Sequence, residues 1–544
     1  MATSTATAKP EVFTRKASGL VRVMSPYSAF IYNILTMGLI FPWTYLWAPG
    51  ALPGGRLFWG ILLAMILEIP LAYAYVWLAT AMPRTGGDYV FQTRVFGGAF
   101  GFTSLMSGFV IWILQWEALS GWLMASVGLS PLFLGLGATL NSAVLSSIGV
   151  WCASTWGIII ISILNAALAM WLLISGFKNY VKFQYVMWYG ILISFLTMLV
   201  VFFLSDPAQF PARIDAFAQA AIGSSGFYQS AINAAKGAGV NLNPAFSLLS
   251  TILIAPIAWT SLQWATYSVE QNGEIKDARS FRAQTFVLVG SLILTGILLA
   301  ILGVAFERAI GTEFLYTAGA GYWLGLPEAT FSGAYLWPNL VAIAIAASPI
   351  IVILISFGYI LNSFQIVNNC MIGMTRVMVA MSLDRLLPEW FSKVDERFHT
   401  PVNAHIAYFL GAIPVILVYN LWGAWGALTL GVTFACGYVF VFSSLAAALL
   451  PFRAKEIYEA SPGARYKLGN LPWVTILGGL GFVLGGIMVL MFMFFSPLGL
   501  TSTLAYIVVF GIIAISAIWY FLAKRAQQAR GINVDFAFKE IPPE

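Results

Sequence analysis

Two glutamates lie deep inside apolar runs of this chain, Glu68 in ILLAMILEIPLAYAYVWLA and Glu117 in FVIWILQWEALSGW. An ionised carboxylate at hydrocarbon depth costs at least about 2.5 kcal/mol, so an acid kept there either works or is held neutral against a neighbouring helix. Glu117, beside Gln115 and Trp116, is the first candidate to face a substrate amine or to carry a proton, and Glu68 is the second candidate for proton or ion coupling. For each, the other reading is a protonated, hydrogen-bonded structural acid. A third acid, Glu270, falls at the end of its run, where interface water solvates it. Farther on, Ser356, Asn362, Ser363, Gln365, Asn368 and Asn369 crowd a single run, and Asn362, Ser363 and Asn369 fall near one helical face with Arg376. That face can coordinate a coupling ion, or its amides can tie helices together at about 0.6 to 2 kcal/mol each.

Lipid-spanning elements must position these groups. Of 544 residues, 60% are apolar and 9% charged, with mean hydropathy +0.86, which leaves too little polar surface for a water-soluble chain of this length. Apolar runs of about twenty residues cross a bilayer. Twelve are found, near 27–48, 57–81, 99–127, 153–175, 181–204, 247–268, 284–305, 338–372, 402–421, 424–450, 473–496 and 503–523.

Two of the twelve are interrupted. Between Ser250 and Glu274, Pro256 and the patch Ala258, Trp259, Thr260, Ser261 break a run otherwise fit to cross, and Gly38 and Pro42 do the same in the first run. Peptide groups freed from a helix cost several kcal/mol in hydrocarbon unless they line a cavity, an ion or a substrate. One interrupted span opening each half points to the binding site of an inverted-repeat transporter. Trp43, Trp259 and Trp264 flank the breaks, where an indole can close over a substrate or stack on a cation, and Trp259, at the break itself, is the one assigned to the site. Pro70, Pro349 and Pro414 are isolated prolines without an assigned role.

With the N-terminus in the cytoplasm, all but four of the 27 Lys and Arg fall in inner segments, the exceptions being Arg56, Arg213, Lys236 and Arg308. This asymmetry supports both the number and the direction of the spans. The net charge of +6 is thus a topology signal, and no basic cluster interleaved with aromatics points to nucleic acid. Residues 1–26 form a polar, basic arm without the short apolar core of a signal peptide. Cys152, Cys370 and Cys436 make neither a disulfide framework nor a metal motif, His399 and His405 lack ligand spacing, and no Gly-x4-Gly-Lys phosphate loop occurs. Neither an enzyme nor a cofactor or metal is expected. Outer segments 205–246 and 307–336 are expected to carry short interfacial helices, and the alternation of charged and apolar residues over 376–401 predicts an amphipathic surface helix.

Three stretches resemble the amino acid-polyamine-organocation superfamily of secondary transporters. Met82 to Phe102, MPRTGGDYVFQTRVFGGAFGF, is similar to that family's Pro-x-Ser/Thr-Gly-Gly-x-Tyr loop with its aromatic-and-Arg segment and Gly pair. Thr375 to Ala404 resembles its Arg-led helix, Asp-x-x-Leu-Pro turn and closing Thr-Pro. GEIKDARS, from Gly273, looks like the Glu-x-Lys-Asn-Pro segment after the broken sixth helix, with Asp277-Ala278 in place of Asn-Pro. The likeness runs from the first span to about the tenth. It implies an amino acid permease-like protein with a five-plus-five inverted repeat. Departures are also present: Thr36-Met37-Gly38-Leu39 replaces a Gly-Ser-Gly-type break, Ser261 stands where a glycine is usual, and no lysine falls in the fifth span.

The reading is an all-α integral membrane protein of twelve transmembrane helices, with discontinuous helices 1 and 6 and two helices appended to the repeats. Its parts are a cytoplasmic arm 1–26, a first repeat 27–204, an outer loop 205–246, a second repeat 247–450, two helices over 451–525 and a cytoplasmic tail 526–544. The expected activity is ion-coupled or exchange transport of amino acids across the cell membrane by alternating access. Alternatives are a polyamine or organic-cation transporter of the same fold, or a sensor or scaffold subunit that no longer transports. Substrate contacts are assigned to Thr36, Met37, Gly38, Leu39, Glu117, Ala258, Trp259, Thr260 and Ser261, and coupling by H⁺ or Na⁺ to Glu68, Glu117, Asn362, Ser363 and Asn369.

Overall fold

The computed structural model describes residues 18–40, 43–423, 429–495, 497–498 and 503–541, apart from the side chains of 429–433. Pro42, expected to interrupt the first span, lies outside the described residues, as do 1–17 of the N-terminal arm and 542–544 of the tail.

Eleven described helices are long and apolar enough to cross a membrane. The twelfth span is the first, in two pieces each too short to cross alone: α1 (Pro26–Met37) and α2 (Thr44–Ala51). Ser25 starts α1 by accepting from the Ser28 amide, with Pro26 preset for the first turn. Gly38 ends it at φ 78°, ψ 75°, a left-handed geometry that glycine adopts without a Cβ penalty.

Next come α3 (Leu57–Ala81), a short α4 (Gly87–Phe96), α5 (Gly98–Thr139), the short α6 (Ala143–Cys152), α7 (Thr155–Ile174) and α8 (Phe177–Leu204). Two short helices, α9 (Phe210–Ile222) and α10 (Phe227–Gly237), precede α11 (Leu248–Leu262), which continues as a 3₁₀ segment, Gln263–Glu270. The second half continues with α12 (Phe281–Ile310), the shorter α13 (Thr312–Leu324) and α14 (Pro338–Ala346), then α15 (Pro349–Leu383), α16 (Val402–Leu421), α17 (Thr429–Arg453), α18 (Trp473–Phe494) and α19 (Thr503–Gln528). The described β-structure is two hairpins of two-residue strands, Thr330–Phe331 with Ala334–Tyr335 and Lys467–Leu468 with Leu471–Pro472, and two isolated bridges, Met24 with Ile275 and Thr85 with Gln271.

The structure departs from the sequence reading at three places. First, α11 runs unbroken through Pro256 and the Ala258–Ser261 patch, and its hydrogen-bond spacing changes only after Leu262. A proline inside a membrane helix is tolerated where surrounding helices re-satisfy the freed groups. Second, the eighth span does not begin at 338. Ala347 sits at φ 45° and ends α14, and Pro349 restarts the chain as α15, because a residue before proline avoids helical geometry. Third, no separate surface helix forms over 376–401. Helix α15 carries straight on to Leu383, and a single 3₁₀ turn, Glu389–Ser392, follows.

The cause of the third difference is internal neutralisation. Arg376 is fully buried and grips Glu274 with two bonds, Nε to Oε2 at 2.8 Å and Nη2 to Oε1 at 3.1 Å. A charge that pairs inside the protein no longer marks a water-facing surface. The end of the chain is drawn in similarly: buried Arg94 pairs with Asp384 at 3.2 Å and donates to the carbonyls of Ala537 and Glu540, while Phe538 packs on Gly98.

Candidate functional site

Where α1 stops, the Thr36 hydroxyl donates to the Tyr32 carbonyl at 2.6 Å, and the chain turns away at Gly38. Opposite it, the change from α to 3₁₀ spacing frees the Thr260 carbonyl. Trp264 Nε1 at 3.0 Å and Gln263 Nε2 at 3.3 Å donate to that oxygen. Thr260, Trp264 and Tyr267 therefore lie at i, i+4 and i+7, one helical stripe facing the end of α1.

Between the two discontinuities is a cavity of about 40 Å³. A water-sized volume needs roughly 10–15 Å³, so this space holds a few waters at most and must widen to admit anything larger. Thr36, Met37 and Gly38 form its α1 wall and Thr260 and Ser261 its α11 wall. Asn369 and Cys370 of α15 close one side, and Trp43, Trp116 and Trp264 cap it with indole faces. Among the described residues, none on the wall carries a formal charge at neutral pH.

The other expected residues lie elsewhere. Leu39 and Ala258 are buried away from the wall. Trp259 turns its indole in the opposite direction, donating to the carboxylate of Glu68 on α3. Glu68 is thus bound to structure on one oxygen while its Oε1 has no partner. Ser363 donates to Tyr359 O of its own helix at 2.9 Å, and Asn362 is fully buried with neither amide atom partnered.

Asn369 is the polar centre that joins the pieces. Its Nδ2 donates to Thr36 Oγ1 at 2.6 Å, and its Oδ1 accepts from Tyr180 Oη at 2.8 Å and Gln365 Nε2 at 2.7 Å. Gln365 also donates to Tyr180 Oη at 2.6 Å. This network ties α1 to α8 and α15 beside the cavity. On the other side of α1, Asn33 accepts from the Ser268 amide at 2.9 Å and donates to Val287 O at 3.2 Å, fixing α1 to the 3₁₀ segment and α12.

Glu117 is one residue behind the cavity wall. It is fully buried, neither carboxylate oxygen has a hydrogen-bond partner, and Cys370 and Tyr408 are its electrostatic neighbours. The α-helical turns that hold it, Ile113–Trp122, are bracketed by π-helical turns at Met106–Ile111 and Leu123–Leu129. Such wide turns interrupt the regular hydrogen-bond ladder and recur at functional positions. Glu270, expected to be solvated, is instead fully buried. The loop at Gly86–Gly87 folds over it and takes its carbonyl as an acceptor.

Several wall residues escaped the sequence reading: Leu123, Tyr267, Ile366 and Cys370, with Tyr180 and Tyr32 in the network. Tyr267 was within reach, because counting helical turns from Thr260 leads to it. Tyr180 was not, since only the folded chain brings α8 against α15.

A family model described as amino acid permease matches residues 27–517. A putative polyamine transporter of Candida albicans is 27% identical over 211 residues, 37% of this chain and 34% of that protein. An uncharacterised protein of Sulfolobus islandicus rod-shaped virus 1 is 31% identical over 87 residues, 16% of this chain and 22% of the viral one. The chain thus aligns with about a third or less of the length of these curated relatives. Among solved structures, a mutant of the manganese transporter of Eremococcus coleocola superposes with TM-score 0.50 at 14% identity, covering 92% of this chain and 95% of the other. At that identity the likeness concerns the fold alone.

Proposed function

Since the chain belongs to the amino acid permease family, and is a multi-pass membrane transporter rather than an enzyme, we propose that it moves amino acids across the cell membrane by alternating access, with its basic end in the cytoplasm. The observation that carries this reading is the small cavity between Gly38 and the Leu262–Gln263 transition, walled by uncharged groups. Hydroxyls of Thr36, Thr260 and Ser261 and the peptide groups at the α1 break suit a zwitterion's carboxylate and ammonium, and the indoles suit an apolar side chain.

A polyamine is the second reading, favoured by the likeness to the Candida protein. It needs several anionic contacts, and the wall supplies none, with Glu117 one residue behind it. Manganese, named for the structural neighbour, needs a set of hard ligands. Among the described residues no group of three or more His, Cys, Asp or Glu is placed to hold a metal.

Proton coupling is supported by Glu117, a buried carboxyl without a partner next to the site. A sodium site at Asn369 is less well supported, because its amide oxygen already accepts two donors. The test is uptake by liposomes holding the purified protein. An inward proton gradient should drive accumulation of at least one labelled amino acid, and Glu117→Gln should remove the dependence on pH while exchange persists. Uptake of spermidine with no amino acid flux overturns the substrate assignment, and an unchanged pH profile in Glu117→Gln overturns the coupling assignment.

A further inference from the structure

The basic end of the molecule holds a pair of acids that the cavity does not use. Asp88 lies in the first turn of α4, and Glu270 closes the 3₁₀ segment of the sixth span. Their backbones are pressed together. The Gly86 amide donates to Glu270 O at 2.8 Å, Thr85 and Gln271 form an antiparallel bridge, and a Cβ on Gly87 would sit 2.4 Å from Val269 O. That approach accounts for the Gly-Gly pair of the loop, and it makes the two carboxyl groups electrostatic neighbours.

Both side chains are completely buried. Asp88 Oδ1 accepts from Tyr75 Oη of α3 at 2.5 Å and from the Ser443 hydroxyl of α17. Glu270 Oε1 is met by the Asp88 amide at 3.4 Å. The remaining oxygens, Asp88 Oδ2 and Glu270 Oε2, are buried without a donor. The other titratable groups facing the pair are Tyr75 and, from the 3₁₀ segment, Tyr267. Helix α15 packs on Gly86 through Ala380, and the charges it brings to this end, Arg376 and Asp384, are engaged with Glu274 and Arg94. Among the described residues no cation reaches either acid.

Two neighbouring carboxylates out of water cannot both ionise; one proton held between them satisfies the orphaned oxygens. Burial accordingly holds the Asp88 carboxyl above its usual range.

We propose that Asp88 and Glu270 form a proton-binding site that clasps α4 to the end of the sixth span, and that release of the proton opens the basic end of the molecule. In that step one O–H bond breaks, both groups become carboxylates, and the proton passes to water entering the opened mouth. The clasped form binds one proton more than the open form, so rising pH favours opening, by up to about tenfold per pH unit between the pKa values of the two states. The proton site stands on the geometry alone. Only its place in a transport cycle rests on the permease reading.

The experiment is hydrogen–deuterium exchange of the full chain in lipid nanodiscs without substrate, with rates corrected for the intrinsic pH effect against α18. Peptides over residues 84–92 and 266–274 should open with rising pH in the wild type. Glu270→Gln keeps a hydrogen bond to Asp88 without a titrating proton, and its profile should be flat. Asp88→Asn serves as the second variant, and an infrared carboxylic C=O band that bleaches over the same pH range checks the wild type without any substitution. A flat wild-type profile, or Glu270→Gln opening with the wild-type slope, overturns the proposal. None of these readouts measures flux, so failure here is separate from failure of the liposome test.

Discussion

Replacing Asn369 with alanine removes three hydrogen bonds at once, the one to Thr36 and those from Tyr180 and Gln365. Interhelical bonds of this kind average about 0.6 kcal/mol in membrane proteins and reach about 1.7, so the expected loss of stability is about 2 kcal/mol. Tyr180 and Gln365 keep their mutual bond at 2.6 Å, which argues against the upper end of the range. Thr36 sits on the cavity wall, so substrate affinity should fall as well. The sharper measurement is a double-mutant cycle of Asn369→Ala with Thr36→Val, read by unfolding in mixed detergent and by binding of whichever amino acid the liposomes accumulate. A coupling of about 1 kcal/mol is expected for two groups bonded at 2.6 Å. Ser363→Ala is the control: it loses one bond to its own helix and should cost about 0.6 kcal/mol. Additivity within about 0.3 kcal/mol, or an Asn369→Ala no worse than Ser363→Ala, would refute the claim that this network holds α1 in place.

Two more outcomes are expected. Arg376→Met removes both bonds that Arg376 makes to the buried Glu274 carboxylate and should cost about 3–5 kcal/mol, while combining it with Glu274→Leu should recover most of that loss; equal instability of the single and double variants would contradict the buried-pair account. Cys370 lines the cavity and Cys152 and Cys436 do not, so a small neutral thiol reagent should block uptake through Cys370, more slowly when substrate is present, and Cys370→Ser should be resistant.

Hydropathy made the spans legible because lipid imposes one rule on every segment: bury the peptide bonds within a helix of fixed minimum length. The interruption at Gly38 and the polar run around Asn369 were equally visible, since each violates that rule locally. Side-chain direction was harder. Trp259 and Trp264 stand five residues apart on the sixth span, and the sequence favoured the first for its place at the expected break. The helix in fact continues past Trp259 to Leu262, so Trp259 faces Glu68 and Trp264 faces the cavity. Where a helix changes its spacing sets which face looks inward, and packing decides that point. Glu270 was misplaced for a related reason. Its depth in the chain suggested interface water, and only the fold shows a glycine loop pressed against it in place of solvent.

One element reaches from the cavity to the basic end without a joint. Helix α15 carries Asn369 at the cavity, Arg376 two turns on, and Asp384 just past its last turn. At 1.5 Å per residue, Asn369 and Asp384 are about 22 Å apart along one stiff axis. A tilt of about 5° pivoting at the cavity would swing the Asp384 end through about 2 Å, enough to stretch a 3.2 Å contact with Arg94 past breaking. A rod so placed would work as a lever: a slight tilt at the cavity would be read at the far end as ion pairs made or lost.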